Sequence, residues 1–121
     1  MKKLLKIVLV SCIPLVLFSC YYDELPEKEV VEIPEDQVVS FSNDITAIFE
    51  TYNCAQCHNP SGTNPDLTKG NEYNSLVPSF VIAGNANGSK LFTQLTNGHR
   101  NVDATSLALI KKWIDDGAQN N

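Results

Sequence analysis

Methionine is almost missing from this chain: of 121 residues only Met1 carries a thioether, so a processed N-terminus would leave no methionine to bind a metal. Histidine is nearly as scarce, with His58 and His99 alone. Basic charge is short as well. Nine Lys and Arg stand against fourteen Asp and Glu, a formal charge of −5, which makes nucleic acid an implausible partner. No apolar run reaches the ~20 residues a membrane-spanning helix needs; the longest, Leu4 to Phe18, is broken by Lys6, Ser11, Cys12 and Pro14. Strand signals are nearly absent too, since Phe80-Val81-Ile82 is too short to carry a sheet. The length leaves room for one small domain.

What is present begins with an export signal. Lys2, Lys3 and Lys6 form a positive start before the apolar run, which closes on Leu17-Phe18-Ser19-Cys20. That ending resembles a bacterial lipobox, although Phe18 is bulkier than the common pattern. It implies a signal peptide over 1–19 and a Cys20 that carries diacylglycerol and fatty acids such as palmitate, enough acyl chains for stable anchoring. The alternative is an ordinary secretory signal with Cys20 incidental. Residues 20–39 then form an acidic tether: seven carboxylates from Asp23 to Asp36 face Lys28, and Pro26 and Pro34 interrupt the stretch. Fully extended it reaches about 65 Å; alternatively its valines dock on the domain. Once the three signal lysines are gone, 14 acids face 6 bases, a charge near −8 that suits a basic patch on a partner protein. Acidic residues close behind the lipidated cysteine also resemble the surface-export signal of Bacteroidota lipoproteins. The expected location is the outer membrane, on its periplasmic or its outer face.

The domain, 40–121, reads as all-α, with about four short helices and long loops. Ser42-Asn43-Asp44 starts a helix whose apolar stripe is Ile45, Ile48, Phe49 and Tyr52. Pro60, Gly62, Pro65 and Gly70 make the next stretch a loop. A short helix is expected over 71–77. A further one is expected to be capped by Ser89, carries Leu91, Phe92 and Leu95, and closes at Asn97-Gly98. The last helix, capped within Asp103 to Ser106, buries Leu107, Ile110, Trp113 and Ile114 and stops at Gly117. So little core for so much loop calls for a staple.

Cys12 leaves with the signal and Cys20 is lipidated, so Cys54 and Cys57 remain as the free pair. They belong to Cys54-Ala55-Gln56-Cys57-His58, the spacing of covalent haem attachment. Two thiols on one turn reach the haem vinyl groups, and the next histidine is held under the iron as proximal ligand. Two rivals use the same residues. A thioredoxin-like pair wants a strand before the CxxC, and a helix stands there instead. A zinc site would take Cys54, Cys57, His58 and His99, with Cys57 and His58 adjacent and poorly placed for a tetrahedron.

Around this motif the chain is similar to the small c-type cytochrome lipoproteins of the Bacteroidota, from about Val39 to Ala118. The shared features are Ser40 to Ile45, Ile48-Phe49, the CxxCH, Pro65-Asp66-Leu67, Tyr73 to Val77, Gly84 to Leu91, and Ile110-Lys111-Lys112-Trp113-Ile114-Asp115-Asp116-Gly117-Ala118. The resemblance implies a cytochrome c-like fold around one covalent haem c, with the first and last helices crossing through Phe49 and Trp113.

One departure matters. Such cytochromes usually place a methionine before the last helix as sixth iron ligand, and here Asn97-Gly98-His99-Arg100 stands instead. His99 is therefore the candidate distal ligand beside proximal His58, with Lys69, Lys90 or water as alternatives. Bis-histidine ligation suits a non-enzymatic electron carrier that serves redox partner proteins and has no small-molecule substrate. An open sixth position would suit a haem-based gas or redox sensor. A third reading makes the haem the structural core of an accessory subunit.

Overall fold

The computed structural model describes residues 31–121. The signal peptide, Cys20 and the first part of the acidic tether lie outside the described residues. The described part is helical, and no strand occurs among its residues.

The domain begins with a reciprocal cap. Ser40 Oγ accepts from the Asn43 amide (3.3 Å), and the Asp44 carboxylate accepts from the Ser40 amide (2.8 Å). The first turn, Phe41–Ile45, is a wide π-helical one and leads into α1, Thr46–Thr51. Its cap is Ser40, two residues before the expected Ser42, and Asn121 supplies two further partners. The Asn121 backbone carbonyl accepts from the Ser42 amide (2.9 Å) and its side-chain oxygen from the Phe41 amide (2.9 Å). Two orphan donors of the helix start are thereby satisfied by a residue eighty positions away.

Helix α2 spans Glu72–Leu76, α3 Lys90–Thr96 and α4 Ala104–Asp115. Asp103 caps α4 by accepting from the Ser106 amide (2.9 Å). The other end is a Schellman closure: Gly117, at φ 110°, lets the Ala118 amide reach the Trp113 carbonyl (2.8 Å) and the Gly117 amide reach that of Ile114 (3.1 Å). Lys111 and Lys112 pair with Asp115 and Asp116 one turn on. Ser89, the residue before α3, makes no side-chain cap. It is fully buried, its Oγ bonded to the Ile82 amide (2.8 Å) and the Asn85 carbonyl (2.8 Å), so it organises the preceding loop instead.

Trp113, Ile45, Leu76, Ile110 and Ile114 form the fully buried centre. The start of the domain meets α4 through Phe41, not Phe49. The Phe41 ring lies 5.2 Å from that of Trp113 and 5.2 Å edge-on to Tyr73, while Phe49 lines the cavity described below. The indole N–H donates to the Gln119 carbonyl (2.9 Å) and the Tyr73 hydroxyl to that of Ala118 (2.8 Å). The polar ends of both rings are thus satisfied by the chain that follows α4. The end of the tether joins this core. Val39 is buried, Ile33 packs on the cluster, and Lys112 Nζ donates to the Glu35 carbonyl (3.1 Å). These last residues dock rather than extend, because Val39 and Ile33 find apolar neighbours there.

Candidate functional site

Directly after α1 the chain turns left-handed at Asn53 (φ 49°) and enters a single 3₁₀ turn, Cys54–Gln56. The Cys57 and His58 amides both return to the Cys54 carbonyl, at 3.2 and 3.0 Å. The loop that follows folds back over this turn: the Thr63 amide bonds the Cys57 carbonyl (2.9 Å) and the Leu67 amide that of His58 (2.9 Å). Gly62 makes the fold-back sterically feasible. A Cβ there would lie 2.3 Å from the Cys57 carbonyl oxygen.

His58 Nδ1 lies 3.2 Å from the Thr63 carbonyl. An acceptor at that distance calls for the proton on Nδ1, which leaves Nε2 unprotonated and able to bind a metal. His99 sits on the 3₁₀ turn His99–Asn101, entered through Gly98 at φ 90°. The two imidazoles face one another with ring centres 5.9 Å apart and planes at 74°.

Both histidines line one cavity of about 320 Å³, open on one side. This lies at the lower end of the ~300–1,000 Å³ range of cofactor and ligand sites. Phe49, Leu67, Leu76, Phe80, Leu91 and Leu95 make its wall, and Asn64, Gln94 and Lys90 supply its polar groups. Of the two thiols, Cys54 is buried and lines the cavity, whereas Cys57 is exposed and lies outside the lining. Burial pushes the Cys54 thiol pKa up, with the nearby Arg100 charge acting in the opposite direction.

The other expected ligands separate clearly. Lys69 lines a polar groove elsewhere, with Glu72 and Tyr73. Lys90 reaches the cavity, its ammonium over the Phe80 ring at 5.9 Å from the centroid. Among the described residues no three of His, Cys, Asp or Glu stand close enough to hold a metal ion, so the four-ligand zinc arrangement is not formed.

The ring spacing is that of two imidazoles able to share one haem iron, and Cys54 lines the same cavity whereas Cys57 does not. Two imidazoles sharing one metal at bonds of about 2.0–2.1 Å, each ring centre ~1.1 Å behind its nitrogen, stand about 6.2 Å apart. The separation found is 5.9 Å. Sequence reading found both histidines and both thiols but missed the wall. Phe80 falls in an irregular segment, and Leu91 and Leu95 read equally well as core. The Thr63 carbonyl is backbone and carries no side-chain signal at all. Comparison with family models, curated proteins and solved structures found no match to this chain.

Proposed function

We propose that this chain is a single-haem c-type cytochrome of the cell envelope, with a cytochrome c-like fold, that carries electrons between protein partners. The observation that carries the reading is the facing pair His58 and His99, 5.9 Å apart across an apolar cleft that opens on the CxxCH turn.

Cys54 and Cys57 would hold the haem through thioethers, His58 would be the proximal ligand and His99 the distal one. Bound there, the haem supplies a one-electron redox couple. The residues of the chain do the rest. The Thr63 carbonyl fixes the orientation of the His58 ring. His99 would hold the iron together with His58, which would keep small ligands away and leave little to rearrange on electron transfer. The apolar wall keeps water away from the redox centre. Lys90, the only Lys or Arg of the lining, would suit a haem carboxylate at the mouth. With imidazole in place of a thioether, the potential lies below that of a His/Met cytochrome. Anchoring through Cys20 accords with the described residues, none of whose helices is long and apolar enough to cross a membrane.

The test is the visible spectrum of the exported, mature chain. Covalent haem, low-spin in both oxidation states and converted to high-spin by His99→Ala, is the expected result; partition into detergent should disappear with Cys20→Ala. A high-spin spectrum that shifts with carbon monoxide or nitric oxide would move the assignment to the gas or redox sensor. A folded protein matured without haem would overturn both.

A further inference from the structure

His99 is held on a loop that is costly to form. Gly98, Arg100 and Asn101 all have positive φ, at 90°, 63° and 48°, and two of them are not glycine. Left-handed backbone costs roughly 1–2 kcal/mol per non-glycine residue, so a short exposed loop keeps it only where tertiary contacts hold it. Two contacts do so, and both run to the segment that carries the CxxCH. At the far end, the Asp103 amide donates to the Tyr52 hydroxyl (3.0 Å), which donates in turn to the Asp103 carboxylate. Next to His99, Arg100 Nη2 donates to the Asn53 carbonyl (3.1 Å) and to Gln56 Oε1 (3.4 Å). Asn53 is itself left-handed, at φ 49°, which turns its carbonyl toward the guanidinium.

Resting on the haem reading above, we propose that Arg100 is a positioning residue: it clasps the His99 loop onto the Asn53–Gln56 turn and so sets how tightly His99 occupies the sixth position. Arg100 is exposed and contributes nothing to the core, so its removal should act on the loop and not on folding. Both bonds leave one nitrogen, Nη2, at the end of a side chain one bond longer than that of lysine, whose ammonium would reach the two acceptors less well.

The test uses the full exported chain, matured with haem, and compares wild type with Arg100→Ala, Arg100→Lys and His99→Ala. The readouts are the rate of carbon monoxide binding to the reduced protein, the high-spin fraction of the oxidised spectrum and the thermal midpoint. Charged hydrogen bonds to exposed acceptors bias a local equilibrium by about one order of magnitude. Arg100→Ala should therefore bind carbon monoxide about three- to tenfold faster than wild type, toward the His99→Ala rate, with an unchanged thermal midpoint. Arg100→Lys should fall between. If His99→Ala opens the site while Arg100→Ala binds at the wild-type rate, the clasp is overturned and the ligand assignment stands. If His99→Ala itself leaves spectrum and rate unchanged, the ligand assignment fails and the clasp fails with it. If Arg100→Ala lowers the thermal midpoint as much as it speeds binding, Arg100 is a structural residue and the proposal is also overturned.

Discussion

Without haem this domain should barely fold, and the cavity sets the scale of the deficit. Unfilled protein cavities cost about 24 cal/mol per Å³. For the cavity of about 320 Å³ this amounts to about 8 kcal/mol. Water enters through the open side, so that figure is a ceiling, and a loss of about 3–8 kcal/mol is expected. Domains of this size are stable by only about 4–12 kcal/mol in total. The same chain should be made in two forms, exported and matured with haem, and retained in the cytoplasm without it, and each unfolded in urea under far-ultraviolet circular dichroism. The haem-free form should show no cooperative transition, or a midpoint less than half that of the haem form. A haem-free midpoint within about 15 % of the haem form, the usual uncertainty of such fits, would refute the reasoning. It would mean that the Trp113 core holds the domain by itself.

The remaining expectations concern single residues. Gly62→Ala sets a Cβ 2.3 Å from the Cys57 carbonyl oxygen, and because that oxygen is backbone and a Cβ has no rotamer to move away the loop must shift. The thermal midpoint of the haem form should fall by about 5–15 °C, and the His58 ring should lose its Thr63 acceptor; an unchanged midpoint would show that the fold-back is looser than described. Asp103 has its carboxyl pKa lowered to about 2, chiefly by the Tyr52 hydroxyl and then by the Ser106 amide and hydroxyl. A depressed carboxylate stabilises above its unfolded pKa, so this contribution is intact above pH ~4 and lost as the pH falls toward 2. In Asp103→Asn, which keeps the cap, stability measured by urea titration should depend less on pH across that window; an identical acid limb would remove Asp103 as its source.

The candidate attachment residues were legible in one dimension because the CxxCH spacing is a local pattern. Cys54, Cys57 and His58 lie within five residues, and any turn that holds them brings their side chains to one place. That no methionine of the domain could serve as a ligand was legible as well, because the only methionine stands at the N-terminus. Helix positions and stops followed from short-range rules at Asp103, Gly98 and Gly117, which the folded chain obeys. The cap of the first helix was misplaced by two residues: Ser40 and Asp44 form it, and the Phe41 and Ser42 amides find their partners on the distant Asn121.

The rest depended on residues far apart in the chain. That His99 meets His58 at 5.9 Å is the sum of many turns between them, and no spacing rule reaches over forty residues. That Phe41 and not Phe49 packs on Trp113 was equally invisible. Both lie on apolar faces of the same segment, and the wide turn at Phe41–Ile45 decides which one faces α4. Sequence by itself determined that two thiols and a histidine share one turn and that the domain is helical. Tertiary structure alone decided how closely the two imidazoles approach, which ring packs on Trp113 and where the cavity opens. Each of these is a relation between surfaces, and surfaces exist only once the chain has closed on itself.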